Sequence, residues 1–211
     1  MGIVLLDKSP LMHSIQVTIK YALDRFFSSL LLIILSPVFL IISLIIKADG
    51  GPVFFSQQRL GLHGICFKIY KFRSMIVNAD DFLDDKGLPT RARITKVGAF
   101  LRKTSLDELP QLINVFLGNM SIVGPRPALP ENLHEYTDEQ KQRLLMKPGV
   151  TGLAQVNGRN SLKWSERIQY DVQYVKHFSL WLDIKIVLKT IWVVCTSKGM
   201  AEDRNPSDFM F

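Results

Sequence analysis

The 211-residue sequence predicts an α+β fold, in which a membrane-associated segment precedes a small, mostly helical domain with one short β-hairpin. Three observations carry this prediction. Residues 26–46 form an uncharged apolar run, residues 65–75 alternate between apolar and polar side chains, and several later stretches repeat apolar residues at helical spacing. An uncharged run of about 20 residues has the length of a membrane helix, alternation indicates a strand, and spacings of three and four indicate a helix.

The overall charge favours an anionic partner. The chain has 26 Lys+Arg against 19 Asp+Glu, a net charge of +7 and a pI near 9.5. Nucleic acid, anionic lipid and a nucleotide substrate are all compatible with this excess of positive charge. Cys66 and Cys195 are too isolated for a disulfide framework, and no Cys/His cluster has metal-ligand spacing, so a reducing compartment is favoured.

The N-terminal part of the chain is interpreted as a short leader followed by a membrane segment. Residues 1–19 lack the small-residue cleavage site of a signal peptide, and we expect them to be irregular up to about Ser14. The membrane segment covers residues 20–47, with charged flanks at Lys20, Asp24, Arg25 and Lys47. A buried core helix is the alternative, but the chain would have to hide it on all sides.

The middle of the apolar run contains Ser36 and Pro37, and we predict a bend there. Proline has no backbone N–H, so it removes a helical hydrogen bond, and the serine hydroxyl is able to satisfy the carbonyl that is left free. Two topologies fit a helix broken in this way. One is a kinked span, and the other is a re-entrant segment that leaves by the face it entered. Basic residues on both flanks do not decide between them.

A β-hairpin is predicted from residues 53–61 and 65–75. Lys71 and Arg73 occupy polar positions of the second strand, where contact with a phosphate and a solvated face are both open interpretations. Residues 78–90 are acidic and rich in turn-forming residues, which predicts a surface loop. The four Asp residues of this loop do not have the spacing of an EF-hand calcium site.

The best candidate for chemistry is the adjacent pair Asp107 and Glu108, within residues 104–111. Pro110 is tolerated in the first turn of a helix and therefore predicts a helix that begins near Asp107. The apolar face of this helix is formed by Leu109, Leu112, Ile113, Phe116 and Leu117, and Gly118 with Asn119 fits a C-terminal cap. A carboxylate at a helix N-terminus is stabilised as the anion, the form that attacks phosphorus or holds a divalent cation.

A structural alternative exists for the acidic pair, because Ser105 and Glu108 also fit a capping box. Two arginines favour a phosphate site instead. Arg102 ends a short helix predicted over residues 95–103, and Arg126 stands between two prolines that fix the backbone around it. Rigid guanidinium forks suit phosphate well, so an anion clamp fits the Arg126 segment better than a plain turn does.

The chain after the central helix contributes further candidate residues. Residues 120–123 predict a brief strand, and a helix that starts at Thr137 is expected to end before Pro148. Residues 150–160 are rich in glycine and amide side chains, which predicts a loop. This loop is able to bring Gln155, Asn157 and Arg159 to a ligand, although it matches neither the Walker A nor the dinucleotide-binding fingerprint.

Two helices are predicted near the C-terminus. The first covers residues 164–175 and carries Asp171 on its flank, which we count among the candidate substrate-binding residues. The second covers residues 181–194, with apolar residues largely on one side and Lys185 and Lys189 on the other. A helix that combines Trp and Lys in this way fits both a membrane interface and ordinary core packing.

The order of these motifs resembles that of the bacterial sugar transferase family. The motifs that carry the resemblance are the apolar run broken at Ser36 and Pro37, residues 71–75, 105–111, 123–127, 148–152 and 155–159. The similarity covers roughly residues 20–197 and is greatest to the small monotopic phosphoglycosyl transferases. Each motif alone is weak, whereas their combination is specific.

The resemblance implies an enzyme that moves a phospho-sugar from a UDP-sugar to polyprenyl phosphate, such as undecaprenyl phosphate, and releases UMP. This is the first membrane step in the synthesis of a bacterial surface glycan. It implies that Asp107 forms a covalent phospho-sugar intermediate and also binds the cofactor Mg²⁺, and that Glu108 activates the acceptor phosphate. The phosphate- and substrate-binding candidates are Lys71, Arg73, Arg102, Arg126, Gln155, Asn157, Arg159 and Asp171.

The resemblance also implies the re-entrant topology, with the catalytic domain on the cytoplasmic face of the inner membrane. The expected fold is α+β: a leader (1–19), a re-entrant helix hairpin (20–47), a cytoplasmic catalytic domain (48–197) with a β-hairpin and interfacial amphipathic helices, and a flexible tail (198–211). Longer family members carry additional membrane helices, and we expect none here because only the leader precedes the hairpin. Membrane lipid, not nucleic acid, is the expected partner, and a homo-oligomer stays open.

Two other functional classes remain as alternatives. The first is a basic binding module of the membrane surface without catalytic activity, which would explain the charge and the amphipathic C-terminal helix. The second is a single-span tether for a nucleotide-binding domain. A position of the N-terminus on the outer face of the membrane would distinguish the tether from the re-entrant hairpin.

Overall fold

The computed structural model describes residues 10–77, 79, 93–158 and 162–196. Its helices are α1 (Pro10–Ile34), α2 (Ser36–Ala48), α3 (Lys96–Thr104), α4 (Gln111–Phe116), α5 (Asp138–Lys141), α6 (Leu153–Asn157), α7 (Trp164–Lys176) and α8 (Leu180–Thr196). Its strands are β1 (Phe54–Leu60), β2 (Cys66–Phe72), β3 (Ser121–Val123) and β4 (Gly149–Thr151). The mostly helical α+β class is confirmed. The predictions for the acidic loop apart from Ala79, for Arg159 and for the C-terminal tail lie outside the described residues.

The N-terminal segment forms two helices that meet at a bend. Among the described residues, no single helix has both the length and the hydropathy of a membrane span, but Ser14–Ile34 and Ser36–Ala48 together do, and they are bent by 62°. The prediction of an irregular chain up to Ser14 is wrong, because α1 already begins at Pro10. Proline is well tolerated at a helix start, and no helix-breaking residue follows until Pro37.

The predicted bend at Ser36 and Pro37 is confirmed. Pro37 has no N–H for the carbonyl of Ile33, four residues earlier, and the hydroxyl of Ser36 donates to that carbonyl at 2.8 Å. Large apolar side chains around the bend face outward, including Phe26, Ile33, Ile34, Leu40, Ile41 and Leu44. The alternative of a core helix buried on all sides is therefore wrong.

The charged residues before the apolar run are part of the protein interior. Lys20 and Asp24 lie within α1 and are only 2% and 7% exposed. Lys20 Nζ lies 2.6 Å from Asp183 Oδ2, and Asp24 accepts hydrogen bonds from the Ser121 hydroxyl at 2.6 Å and the Ile122 N–H at 3.3 Å. The sequence identified them only as charged flanks of the apolar run. In the structure, they fasten α1 to β3 and α8.

The predicted β-hairpin is confirmed, since β1 pairs antiparallel with β2 in a register that places Phe54 opposite Phe72. Its outer edge is held by Asn114 of α4, which is fully buried. The side chain of Asn114 accepts from the Tyr70 N–H at 2.9 Å and donates to the Lys68 carbonyl at 2.7 Å. Asn114 thus pairs with β2 as a strand would and fixes α4 against it.

A second sheet, in which β3 and β4 pair in parallel, was not predicted. The glycine-rich segment that we interpreted as a loop contains β4 and the short helix α6. Strands of three residues are too short to show an alternating pattern. Gly149 permits the pairing, because a Cβ atom there would lie 2.1 Å from the backbone nitrogen of Gly124.

The core lies around these two sheets and extends to the bent helices. One cluster is formed by Val123, Met146, Val156, Tyr174, Phe178 and Ile186, and a second by Phe67, Ile69, Val115 and Met120. A third joins α2 to the domain through Ile42, Ile46, Phe72 and Leu101. Both α1 and α2 are therefore anchored on the same domain.

The apolar face of α8 points away from the domain. Trp181, Ile184, Leu188, Ile191 and Trp192 are exposed, whereas Ile186 and Val193 pack inward. Lys185 Nζ lies 5.5 Å from the ring centroid of Trp181. The alternative of ordinary core packing is therefore wrong for the predicted stripe, and the amphipathic helix presents its Trp-rich face at the surface.

Candidate active site

The acidic pair lies in a tight turn between α3 and α4. Ser105 adopts a left-handed conformation with φ of 59°, and Leu106–Glu108 form a single 3₁₀ turn. Ser105 makes no side-chain capping bond, so the capping-box alternative is wrong. Such a left-handed residue reverses the chain sharply and places the pair directly beside the end of α3.

The predicted helix after the pair is shorter than expected. Pro110 cannot donate an N–H to Leu106, and α4 begins only at Gln111 and ends at Phe116. Asp107 therefore lies in the 3₁₀ turn that precedes α4, and the expected stabilisation of its anion by a helix N-terminus stays a prediction. Two residues of the predicted apolar face, Phe116 and Leu117, are exposed, while the predicted cap is confirmed by Gly118 with φ of 84°.

The two carboxylates have different environments. Asp107 is 9% exposed, within a turn that contacts β2. Glu108 is more open and accepts a hydrogen bond from Lys71 Nζ at 2.7 Å. The β2 strand and the 3₁₀ turn thus bring together the predicted residues Lys71, Asp107 and Glu108. The less exposed carboxylate, Asp107, lies next to Glu108, whose charge is neutralised by Lys71.

Arg102 is held at the end of α3 by Ser74, whose hydroxyl accepts from Arg102 Nε at 3.0 Å. The contact depends on a close approach of α3 to the chain after β2. A Cβ atom on Gly98 would lie 1.9 Å from the Ser74 carbonyl oxygen, so only glycine fits there. Gly98 and Arg102 are four residues apart and share one helix face. The prediction that α3 delivers Arg102 toward the acidic turn is consistent with this docking.

Arg126 follows β3, and its peptide groups are held on both sides. Its N–H donates to both carboxylate oxygens of Asp171 at 3.3 Å, and its carbonyl accepts from Arg143 Nη2 at 2.8 Å. The Arg126 side chain remains partly exposed. Sequence reasoning missed Arg143, which has no motif around it and acts through long-range contacts.

Arg59 is a second site residue that sequence reasoning missed. The Leu60 N–H donates to the Ala128 carbonyl at 2.8 Å, which places the end of β1 beside the Arg126 segment. Burial lowers the pKa of Arg59 to about 10, with a further decrease from the positive charge of Arg126 and an opposing effect of Glu108. The register of the hairpin was the signal that could have identified Arg59, because Arg59 and Lys71 lie on the same face of the two strands.

Arg73 was interpreted either as a phosphate contact or as part of a solvated face, and the structure places it at the end of α2. It is 8% exposed and donates from Nη2 to the Ile46 carbonyl at 3.1 Å, with Asp49 Oδ2 at 3.8 Å. It therefore caps the C-terminal end of α2, where carbonyl groups lack helical partners. A solvated face is excluded for Arg73, and its contacts connect the bent helices to β2.

The amide residues of the predicted loop lie on and around α6. Gln155 is near the turn before Arg126, since a Cβ atom on Gly152 would lie 2.8 Å from Gln155 Oε1 and 2.1 Å from the Gly124 carbonyl. Both polar atoms of the Gln155 amide are buried without a hydrogen-bond partner among the described residues. Asn157 instead accepts from Lys189 Nζ of α8 at 2.6 Å.

Asp171 is fully buried within α7, not on its flank as predicted. Burial raises the pKa of Asp171, and the nearby guanidinium of Arg143 and the N–H of Arg126 act in the opposite direction. The side chain contacts the backbone of Arg126, so its place in the site is behind that residue. An alternating or helical pattern does not reveal such a position, because a buried Asp depends on its distant partner.

The donor set of the turn fits a magnesium ion held largely by substrate. No group of three or more His, Cys, Asp or Glu side chains gathers anywhere in the part of the chain that the structure describes. Mg²⁺ commonly takes one or two protein carboxylates and completes its shell with phosphate oxygens and water. Asp107 and Glu108 supply carboxylates of that kind.

Comparison with known proteins adds a family and several relatives. The family model "Bacterial sugar transferase" matches residues 15–197. An undecaprenyl-phosphate galactose phosphotransferase of Salmonella typhimurium is 43% identical over 196 residues, which are 86% of this chain and 41% of the relative. The exopolysaccharide production protein ExoY of Rhizobium meliloti is 41% identical over 196 residues, covering 85% of this chain and 87% of the relative.

A third relative is the UDP-glucose:undecaprenyl-phosphate glucose-1-phosphate transferase of Klebsiella pneumoniae. It is 43% identical over 199 residues, covering 90% of this chain and 43% of the relative. The chain therefore spans about two fifths of the length of the Salmonella and Klebsiella proteins and most of the length of ExoY.

Proposed function

The chain belongs to the bacterial sugar transferase family, and we propose that it transfers a sugar phosphate from a UDP-sugar to polyprenyl phosphate at a membrane surface. The observation that carries the proposal is the acidic turn of Asp107 and Glu108, set among cationic side chains from separate elements. Lys71 of β2 donates a hydrogen bond to Glu108, and Arg59 of β1 interacts electrostatically with both Arg126 and Glu108. The names of the Salmonella and Klebsiella relatives agree with this class of reaction.

The first step uses Asp107 as the nucleophile. A carboxylate oxygen attacks the phosphorus that carries the sugar, a bond between that oxygen and phosphorus forms, and the bond to the bridging oxygen breaks so that UMP leaves. The slight exposure of Asp107 limits access of water, which would otherwise hydrolyse the acyl phosphate. Splitting the transfer in this way replaces one difficult displacement by two easier ones.

In the second step, an oxygen of polyprenyl phosphate attacks the same phosphorus. The bond to Asp107 breaks, its carboxylate is restored, and the lipid-linked sugar diphosphate is released. Glu108 accepts the proton when the acceptor arrives as its monoanion, and Lys71 orients the Glu108 carboxylate through their 2.7 Å hydrogen bond.

Cationic groups lower the repulsion between Asp107 and the donor diphosphate. Arg59, Arg102 and Arg126 offer guanidinium groups, which bind phosphate oxygens through paired N–H groups. Mg²⁺ held by Asp107 would supply further charge neutralisation of the diphosphate. Gln155 and Arg159 remain candidates for contacts with the rest of the donor.

Association with the membrane is proposed to occur through the bent pair α1 and α2 and through the Trp-rich face of α8. Asp24 fastens α1 to β3 before the apolar bend, and Arg73 fastens the end of α2 to β2 after it. Because both ends of the bend are anchored on one domain, re-entry by the same face fits better than a span. Exposed Trp side chains on α8 suit the interface between headgroups and acyl chains.

The proposed function is tested with the purified full chain in detergent, Mg²⁺, a panel of UDP-sugars and polyprenyl phosphate. We expect UMP release and a lipid-linked sugar with at least one donor, and no product with Asp107→Asn that retains the wild-type melting temperature. Equal product formation by Asp107→Asn and the wild type would contradict the role of Asp107. Binding of UDP-sugars without any transfer would favour a binding module.

A further inference from the structure

A buried ion pair lies directly behind Arg126. Arg143 and Asp171 form a hydrogen-bonded pair whose side chains are 2% and 1% exposed. The Nη2 atom of Arg143 that contacts Asp171 also donates to the Arg126 carbonyl at 2.8 Å, and the Asp171 carboxylate accepts from the Arg126 N–H. One ion pair therefore holds the peptide groups on both sides of the Arg126 Cα atom.

The pair is itself held in place from a third direction. Arg143 Nη1 donates to the Tyr136 hydroxyl, and the guanidinium lies 5.3 Å from the ring centroid of Tyr136 and 5.9 Å from that of Trp164. Arg143 follows α5 and Asp171 lies on α7, so the contact joins two elements behind the strand that leads to Arg126. These contacts leave Arg143 little rotational freedom.

Fold stability alone gives no sufficient reason for this arrangement. A buried ion pair loses hydration, and its replacement by apolar residues of similar volume is often neutral or stabilising. The pair of Arg143 and Asp171, however, forms hydrogen bonds with both the N–H and the carbonyl of Arg126. Apolar residues cannot form such bonds. Pro125 and Pro127 fix φ on either side, and the contacts with Asp171 and Arg143 hold the peptide groups of Arg126 between them.

We infer that Arg143 and Asp171 are positioning residues, which hold the Arg126 backbone so that its guanidinium is directed at the diphosphate of the nucleotide-sugar donor. The inference rests on the proposed function, because it takes Arg126 as a phosphate-binding residue. Neither Arg143 nor Asp171 is proposed to touch substrate. Displacement of a binding group by about 1 Å is enough to lose much of its contribution.

The variant Arg143→Lys separates positioning from charge. Lysine keeps a positive charge beside Asp171, but its compact ammonium group does not reproduce the planar fork that reaches Asp171, Tyr136 and the Arg126 carbonyl at once. We expect the dissociation constant of UDP to rise about tenfold, as for the loss of one charge-assisted hydrogen bond. UDP is the probe because it carries the diphosphate and undergoes no transfer.

The decisive experiment is a double-mutant cycle measured by calorimetry on the full chain in detergent. It compares the wild type, Arg143→Lys, Arg126→Ala and the double variant. We expect Arg143→Lys to weaken UDP binding only where Arg126 is present, while its effect on the melting temperature is equal in both backgrounds. Ile186→Val, which removes one buried methyl group from the core, is the matched control and should lower the melting temperature without changing UDP affinity.

Tyr136→Phe serves if Arg143→Lys does not fold. It removes the hydroxyl that accepts from Arg143 and keeps the ion pair, so we expect a weakening of about two- to threefold, again only with Arg126 present. Equal weakening in the presence and absence of Arg126, or unchanged affinity in a folded variant, would overturn the inference. No UDP binding by the wild type would overturn it as well.

The proposed function and this inference fail in different ways. A chain that binds UDP with the expected cycle but transfers no phospho-sugar keeps the inference and contradicts the function. A chain that transfers phospho-sugar while the two substitutions act independently keeps the function and contradicts the inference.

Discussion

The Nζ atom of Lys71 lies 2.7 Å from Oε1 of Glu108, so that β2 and the acidic turn are joined by an ion pair across 37 residues of sequence. The two side chains are 23% and 24% exposed. Partly solvated pairs of this kind contribute little to stability, about 0 to 1 kcal/mol. The main effect of the contact is therefore on the orientation of the Glu108 carboxylate next to Asp107.

Replacement of Lys71 tests this orientation. We expect Lys71→Met to lower the rate of phospho-sugar transfer by about tenfold or more, because Glu108 loses its partner, with a change in unfolding free energy below about 1 kcal/mol. The measurements are initial rates of UMP release and thermal unfolding. Lys68→Met is the matched control, since Lys68 is exposed on the opposite face of β2 and should leave the rate unchanged. Equal rates for wild type and Lys71→Met would contradict the role of the pair.

The contact between Gly98 and Ser74 gives a second prediction. Gly98→Ala would place a Cβ atom 1.9 Å from the Ser74 carbonyl, so α3 must shift and the bond from Arg102 to Ser74 is lost. We expect a destabilisation of about 1 to 3 kcal/mol together with weaker UDP-sugar binding. Denaturant unfolding and the KM for the donor are the readouts.

The control for Gly98→Ala is Ala99→Gly, at the exposed neighbouring position of α3. It weakens the helix by about 1 kcal/mol without a clash, and should leave the KM unchanged. An equal KM change in both variants would mean that loss of helix stability, not the position of Arg102, determines donor binding.

Asn114 gives a third prediction, because its side chain satisfies two backbone groups of β2. Asn114→Leu leaves the Tyr70 N–H and the Lys68 carbonyl without this partner, and we expect a loss of about 2 to 5 kcal/mol in unfolding free energy. Denaturant unfolding measures the loss. Asn119→Ala, at an exposed position after α4, should change the unfolding free energy by less than about 0.5 kcal/mol. If both variants were equally stable, Asn114 would not fix α4 to β2.

The sequence contains local patterns that predict most elements but few of their contacts. Alternation predicted the β1 and β2 hairpin, and the Ser36 and Pro37 pair predicted the bend, because both depend on neighbouring residues. The parallel pairing of β3 with β4 depends on glycines that allow two distant segments to approach, and it carries no periodic signal. The same applies to Lys20 and Asp24, whose burial depends on partners far along the chain.

The candidate site shows the same division. Asp107, Glu108, Lys71 and Arg126 were predicted from charge and proline placement. Arg143 was missed, since a lone arginine in a turn has no recognisable pattern. Arg59 was missed although it lies on the same face of the two strands as Lys71. Arg73 was counted among the candidate site residues, whereas the structure places it at the C-terminal end of α2. Site residues that act through the backbone of another residue are found only when the tertiary contacts are known.

The bend between α1 and α2 gives a fourth prediction. Pro37→Leu restores an N–H for the Ile33 carbonyl, so we expect the two helices to straighten and part of the N-termini to become accessible from outside intact cells. Labelling of an N-terminal tag by an impermeant reagent measures this, and wild type should be labelled only after permeabilisation. Leu40→Ala, an exposed change near the bend, is the control. An inaccessible tag in Pro37→Leu would show that Pro37 does not determine the topology.

The proposed mechanism requires a covalent bond between Asp107 and the phospho-sugar. The most direct measurement is intact-protein mass spectrometry of the detergent-solubilised chain after mixing with UDP-sugars and Mg²⁺ in the absence of polyprenyl phosphate. We expect a mass increase of one phospho-sugar on the wild type and none on Asp107→Asn. The covalent bond to Asp107 would be contradicted if the wild-type mass stayed unmodified with a donor that supports UMP release once acceptor is added. It would also be contradicted by an adduct that persists in Asp107→Asn.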